Sequence, residues 1–141
     1  MEILTFEIAD RLFAVRSSET REVLRAVALC PLAEASQQWE GVLNLRGRIV
    51  PVLDLRFLFH LPSRPIAPTD HLIVIETTDT TLAVRADRAL DLARVDAGAL
   101  EDAETIADEM VYVDQIIKTG DALAHLLAPE RFPRLTGGVS A

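Results

Sequence analysis

Apolar and polar residues alternate in short runs along this chain, a pattern typical of β-strands. Near the N-terminus, Leu4, Phe6 and Ile8 lie on one face of a period-two pattern. An apolar run that ends at Val15 follows a break at residues 9–11. The two runs predict a β-hairpin that is buried on one face or nearly on both.

The same pattern predicts three more strand pairs. Residues 42–53 form a hairpin with a tight turn in the middle, and residues 71–86 form a second one that turns near Asp79. A last pair flanks Gly120 and runs into a helical turn near Pro129. The chain is therefore predicted to be mostly β.

Helices are predicted only as short segments. Ser17 or Ser18 can cap a helix, and Pro31 sets the limit of that helix. Asp54 is placed to cap the helical turn that follows it. Residues 62–70 hold three prolines in a polar run and form the clearest break between two β-rich halves.

The stretch at residues 41–56, GVLNLRGRIVPVLDLR, combines a buried hairpin pattern with several polar residues. Gly47 supplies the positive φ that a two-residue hairpin turn requires. Pro51 has no N–H to donate to a β-ladder, which predicts an edge or a bulge in the return strand.

Asn44 and Arg46 in this hairpin allow two interpretations. In the simpler one, Asn44 supplies turn chemistry and Arg46 is solvated. In the other, Arg46 belongs to a protein-binding surface, because the arginine fork binds carboxylates and arginine is enriched at interface hot spots. The spacing alone favours the simpler interpretation.

Composition and charge exclude some partners. The chain has 141 residues, half of them hydrophobic, which fits one compact domain or two very small units that share a core. Its formal net charge is −8 and it has no basic cluster. Nucleic acid and an anionic membrane surface would both be repelled, so neither is expected as a partner.

Cysteine usage and hydropathy bear on the cellular location. Cys30 is the only cysteine and cannot form an internal disulfide. Together with an N-terminus that shows no secretory leader, this predicts a reducing cytoplasm. No run approaches the ~18 consecutive apolar residues of a transmembrane helix, so no direct membrane insertion is expected.

Residues suited to catalysis or metal binding are few and scattered. His60, His71 and His125 lie far apart, without the spacing of a metal motif. Cys30 has no flanking positive charge and is interpreted as a buried, inert thiol. The carboxylates form no evident acid–base pair. We therefore predict no catalytic residue, no metal site and no cofactor.

The central hairpin is similar to the signature of CheW-like domains. The similarity extends along nearly the whole chain, to the opening hairpin with its short helix ending at Glu22-Val23, and to the later hairpin ending in Asp87. One departure is Arg85, which stands where the family has an apolar residue. The signature residues matched without gaps are Gly41, Asn44, Leu45, Arg46, Gly47, Pro51, Asp54, Leu55 and Phe59.

The resemblance implies a fold of two small five-stranded SH3-like β-barrels packed together, with short helices. We expect a single domain over residues 1–136 and a tail at 137–141. Within the domain, the first barrel is expected at roughly residues 12–65 and the second at roughly 66–120, with terminal strands and helix crossing between them.

The resemblance also implies a function, that of a non-catalytic adaptor. CheW-like adaptors couple the cytoplasmic tip of chemoreceptors to the regulatory domain of a CheA-type histidine kinase, in receptor arrays at the inner membrane. The receptor tip lies in an apolar groove between the barrels and the kinase meets the barrel ends.

The family positions transfer to named residues of this chain. The resemblance implies that Arg46 and Glu22 lie in or beside the partner surfaces, with Val23 and Asn44 as neighbours. The residues expected to shape the fold are Gly41, Gly47, Pro51, Asp54 and Asp87.

Two alternatives to this function remain open. One is an adaptor of a divergent pathway, such as motility driven by pili. The other is a small ligand-binding barrel or metal-dependent enzyme, which would require a convergent polar pocket where the sequence offers only scattered histidines. An apolar groove between the two halves would favour the adaptor.

Overall fold

Strands dominate the part of the chain that the computed structural model describes, which comprises residues 1–32, 37–95, 100–102 and 111–135. One short α-helix, α1 (Leu55–Leu58), and two 3-10 turns, Ser17–Glu19 and Pro129–Arg131, complete the described elements. The strands are β1 (Glu2–Ile8), β2 (Arg11–Arg16), β3 (Thr20–Arg25), β4 (Trp39–Leu45), β5 (Arg48–Leu53), β6 (His71–Glu76), β7 (Thr81–Ala86), β8 (Arg88–Arg94), β9 (Leu100–Asp102), β10 (Val113–Thr119) and β11 (Ala122–Leu127).

These strands form two sheets. The first has six strands in the order β8-β1-β2-β11-β10-β9, and the second has five in the order β3-β6-β7-β5-β4. Neighbours are antiparallel except for β2 with β11 and β5 with β7, which are parallel. The mostly β fold predicted from the sequence is confirmed, with one sheet a strand larger than expected.

The packing of the sheets explains why β6 and β7 are apolar without interruption. In β6, Leu72 and Val74 pack against other residues of the five-stranded sheet, on one of its faces. Ile73 and Ile75 point the other way, into the core shared with the second sheet. Both faces of the strand are therefore buried. A strand buried on both faces reads as a continuous apolar run, which is the pattern seen here.

The edges of the five-stranded sheet, β3 and β4, approach each other. The chain that leaves β3 pairs with β4 through Cys30 and Val42, whose backbone N–O distances are 2.9 and 2.8 Å. Gly41 lies beside this bridge with φ +148°, and a Cβ on it would lie 2.6 Å from the carbonyl oxygen of Cys30. Only glycine fits this approach without displacing backbone.

The predicted division between the barrels does not coincide with the sheets. The break at residues 62–70 connects α1 to β6, and β6 and β7 belong to the same sheet as β3, β4 and β5. Residues 20–86 supply the whole five-stranded sheet, and the six-stranded sheet combines segments before and after them. The proline-rich segment is therefore a connection within one half. The extent of the domain stays a prediction, and the tail at 137–141 lies outside the described residues.

Two local predictions were wrong. The helix expected after Ser17 is a single 3-10 turn, because TREVLR alternates inward and outward residues and pairs as β3 with β6. Cys30, expected to be buried, is exposed, because only its backbone takes part in the bridge.

Charged side chains fasten the segment 62–70 to both sheets. The nitrogen–oxygen distances between successive members of this ion-pair chain are 2.6 to 2.8 Å. Arginines alternate with carboxylates, so the chain of pairs is neutral as a whole. Its members in order, called the buried ion-pair chain below, are Glu40, Arg85, Asp70, Arg64, Asp87 and Arg56.

Arg85 illustrates how the sequence departure is accommodated. It is only 5 % exposed, yet its guanidinium also donates to the backbone oxygens of Arg64 (2.6 Å) and Pro65 (3.3 Å). A buried cation is tolerated when it is paired and its N–H groups find acceptors. The arginine therefore replaces an apolar contact by bonds that shape the proline-rich segment.

Asp87 stands where the chain crosses from β7 in one sheet to β8 in the other. Its carboxylate accepts from Arg56 and Arg64, and from the backbone N–H of Ala9 at 2.8 Å in the turn between β1 and β2. Burial alone raises the pKa of Asp87, but the hydrogen bonds from the two arginines and from Ala9 outweigh it and lower the pKa. The folded state therefore favours the charged form.

Gly41→Ala is expected to lower the free energy of unfolding by about 2–4 kcal/mol, because the new Cβ meets the Cys30 carbonyl. Urea denaturation followed by the fluorescence of Trp39, the only tryptophan, measures the change. Gly120→Ala is the control: Gly120 also has positive φ (+60°), but an added Cβ would meet nothing within 4 Å. Equal losses in the two variants would contradict the close-approach explanation.

Asp87→Asn is expected to lower the free energy of unfolding at neutral pH by about 3 kcal/mol, because it leaves buried arginine charge uncompensated. The folded pKa of Asp87 lies below the unfolded value of about 3.9, so its stabilisation is present above that pH and is lost as pH falls through the folded pKa.

Denaturation at a series of pH values tests this explanation. The wild-type free energy of unfolding should fall below about pH 4, and the drop should be smaller in Asp87→Asn. Asp91→Asn, at an exposed position of β8, should keep the wild-type profile. Parallel profiles for wild type and Asp87→Asn would show that Asp87 does not carry the acid dependence.

Candidate protein-interaction site

The structure brings two of the predicted contact residues together. Glu22 lies on β3 and Arg46 in the turn between β4 and β5, and their side chains form an ion pair. The Arg46 side chain is 68 % exposed and that of Glu22 is 22 % exposed. The pair joins β3 to the turn after β4, and the Cys30–Val42 bridge also links these two edges of the sheet.

The turn that carries Arg46 has the geometry of a tight hairpin. Arg46 and Gly47 both have positive φ, +50° and +84°. Two consecutive residues with positive φ are typical of the turns that match the twist of a β-hairpin. The Asn44 side-chain oxygen accepts from the Gly47 N–H at 2.9 Å, so it fixes the turn. Asn44 is therefore a positioning residue, as the simpler interpretation had it.

Arg46 is held without being immobilised. An exposed ion pair typically stabilises a fold by only about 0.2–1 kcal/mol. The guanidinium has five N–H donors, and the described contacts of Arg46 engage one nitrogen with one Glu22 oxygen. Because the side chain is 68 % exposed, a carboxylate or carbonyl of another molecule can accept from the remaining donors.

Val23 follows Glu22 on β3 but lies on the opposite face of the strand from the Arg46–Glu22 pair. It is 37 % exposed and points outward from β3, while its neighbours Glu22 and Leu24 point toward the inside of the sheet. The alternation of the strand therefore places Val23 on the outer surface.

The residues expected to shape the fold occupy distinct structural positions. Pro51 directly precedes Val52 and Leu53, the two residues through which β5 pairs with β7, so its missing N–H interrupts no bond of that ladder. Asp54 caps α1, accepting from the Phe57 N–H at 3.3 Å. Gly41, Gly47 and Asp87 occupy the close approach, the turn and the crossover described above.

Sequence reasoning missed Leu92. This residue of β8 is 61 % exposed and is the register partner of Leu4, which belongs to the core shared by the sheets. An apolar surface therefore extends from that core to the edge strand β8. The signal was present in the sequence as a leucine between charged residues in the strand RALDLAR, but its exposure depends on the sheet order.

Nothing in the described residues supports a metal site or a membrane span. They contain no group of three metal-ligating side chains. His125 instead lies against the Phe13 ring, at 5.7 Å between centroids, and burial lowers its pKa. No described helix is long and apolar enough to cross a membrane.

Several proteins of known family are similar to this chain. The Chemotaxis protein CheW of Thermotoga maritima is 30% identical over 71% of this chain and 66% of its own length. Protein FrzA of Myxococcus xanthus is 39% identical over 67% of this chain and 59% of its own length. The Chemotaxis protein CheW of Treponema pallidum is 26% identical over 74% and 62%. The match thus spans about three fifths to two thirds of these relatives.

Structure and family model agree with these similarities. The crystal structure of the scaffolding protein TtCheW from Thermoanaerobacter tengcongensis superimposes with a TM-score of 0.83, covering 90% of this chain and 88% of that one at 24% identity. At this identity the match shows the fold. The model of the CheW-like domain matches residues 2–135. Because that match takes in nearly the whole chain, the protein belongs to the CheW-like domain family.

Proposed function

We propose that this protein is a non-catalytic scaffold that couples the cytoplasmic tips of chemoreceptors to the regulatory domain of a CheA-type histidine kinase. Family membership supports the proposal, and several relatives carry the name Chemotaxis protein CheW. The observation that carries it is the ion pair between Arg46, which is exposed on the hairpin turn, and Glu22 on β3. Such a scaffold acts by raising the local concentration of kinase at the receptors.

The kinase contact is assigned to the turn that holds Arg46. A rigid turn presents the guanidinium without an entropic cost for ordering the backbone on binding. Glu22 keeps the Arg46 side chain oriented in the free protein. A carboxylate of the partner can bind the guanidinium together with Glu22 or in its place. Val23 is next to Glu22 along β3 but points to the opposite face of the strand, so it is not part of the surface that Arg46 presents.

The receptor contact is assigned to the apolar surface at β8. Leu92 is an exposed apolar residue on the edge strand β8, and its register partner Leu4 belongs to the shared core. A receptor tip is a helical hairpin, and a helix docks by laying an apolar face into an apolar groove. The two assigned contacts lie on different sheets, so one molecule can hold both partners. The site of action is the cytoplasm, with attachment to the membrane only through the receptor.

A divergent pathway, such as motility driven by pili, is the alternative. It is favoured by one observation: a relative with 39% identity is named Protein FrzA and not Chemotaxis protein CheW. The same surfaces would then serve another receptor and another kinase.

Arg46→Glu is expected to weaken binding to the regulatory domain of a CheA-type kinase from the same cell by about 1–3 kcal/mol, because it removes the outward donors of a hot spot. Isothermal titration calorimetry measures the affinity. Arg88→Glu is the matched control, since Arg88 is also 68 % exposed and pairs with a glutamate, Glu7, on the other sheet. Normal binding by Arg46→Glu would favour the interpretation in which Arg46 is only a solvated turn residue.

Leu92→Ser is expected to weaken binding to a receptor-tip fragment by about 1–2 kcal/mol, because the apolar area it loses is buried on docking. Folding should change little, since the side chain is mostly exposed. Leu123→Ser, at a residue of similar exposure on β11, is the control in the same pull-down or calorimetric measurement. Equal affinities for Leu92→Ser and wild type would exclude β8 from the receptor contact.

A further inference from the structure

An open cleft of about 840 Å³ lies across one end of the five-stranded sheet. Trp39, Pro51 and Leu82 line its apolar base, but Trp39 and Leu82 belong to the core shared by the two sheets and are only 5 % and 2 % exposed. Ile49 lines the same cleft and is 43 % exposed, so it supplies apolar area that the protein itself does not cover. The cleft can therefore bury apolar side chains of another molecule.

Two arginines beside this base are held in place by one carboxylate. Arg21 donates to Glu76 Oε2 at 2.7 Å, and Arg48 approaches the same oxygen at 3.4 Å while donating to Thr81 Oγ1 at 2.9 Å. The two guanidiniums lower the pKa of Glu76, which keeps it ionised. Because these contacts use three nitrogen atoms, each arginine retains N–H donors for a further acceptor.

The charge of the cleft is opposite to that of the whole chain. Three arginines line it, the third being Arg134, against two carboxylates, Glu76 and Asp79. This gives a local charge of +1 in a protein whose formal net charge is −8. Among the described residues, Arg134 has no ion-pair partner. An anionic group that the rest of the surface repels is attracted here.

We propose that this cleft docks an acidic, leucine-bearing segment of a partner protein. Its carboxylates bind the donors that Arg21 and Arg48 leave open, and its apolar side chains cover Ile49 and Pro51. Arg21 is next to Glu22 along the chain, but the two side chains point to opposite faces of β3, and neither Glu22 nor Arg46 lines the cleft. The docking site is therefore separate from the Arg46 contact, and its test requires no kinase or receptor.

The experiment uses the full chain and a short fluorescent peptide of alternating glutamate and leucine, with anisotropy as the readout and Trp39 emission as a second report from the cleft. Saturable binding that weakens with added salt is expected. Arg48→Glu should weaken it about tenfold, because a rim charge is reversed. Ile49→Ser should weaken it as well, since an exposed apolar contact is lost. Urea denaturation verifies that both variants are folded.

The controls separate this site from general attraction. Arg88→Glu makes the same charge change on the other sheet and should leave the affinity within about twofold of wild type. A twin peptide with lysine in place of glutamate should not bind. The proposal is overturned if the glutamate–leucine peptide fails to bind or if Arg88→Glu weakens it as much as Arg48→Glu. It is also overturned if a glutamate–serine peptide or inorganic phosphate occupies the cleft equally well, which would make it a plain anion site.

Discussion

The carboxylate of Asp87 is the contact on which the arrangement of the two sheets depends. It lies at the crossover from β7 to β8, and it joins Arg56 and Arg64 to the backbone of Ala9 in the other sheet. Apolar packing between the sheets supplies most of the stability, but it is non-directional. The buried ion-pair chain is directional, and breaking one member leaves a charge without a partner. It therefore selects one packing of the sheets.

The fixed packing of the two sheets explains why the exposed hairpins can bind partner proteins. The proline-rich segment carries few backbone bonds of its own, and Arg85 and Asp70 provide them through Arg64 O, Pro65 O and the Ala67 N–H. With that connection fixed, β6 and β7 stay in register between β3 and β5. The turn of Arg46 then stands on a sheet that is supported from both sides, and its partner Glu22 on β3 is positioned across the gap.

The parts of the fold that could be predicted from the sequence are those decided by neighbouring residues. The hairpin around Gly47 and the cap at Asp54 follow from local turn and capping chemistry, and both are present. The division of strands between the two sheets could not be predicted, because it depends on long-range pairing that no proline or glycine marks. Arg85 looked out of place for the same reason, since its partners Glu40 and Asp70 lie 45 and 15 residues away.

Arginine performs two different tasks in this protein, and burial decides which. The fork of Arg85 is surrounded by acceptors from Glu40, Asp70 and two backbone carbonyls, so it is committed to the fold. Arg46 has a single described partner and Arg48 two, and both are largely exposed. A buried guanidinium that is already surrounded by acceptors gains nothing from a new ligand. An exposed guanidinium keeps N–H donors available for a partner at little cost in stability. An acidic chain can thus contain arginine-based recognition sites without a basic cluster in its sequence.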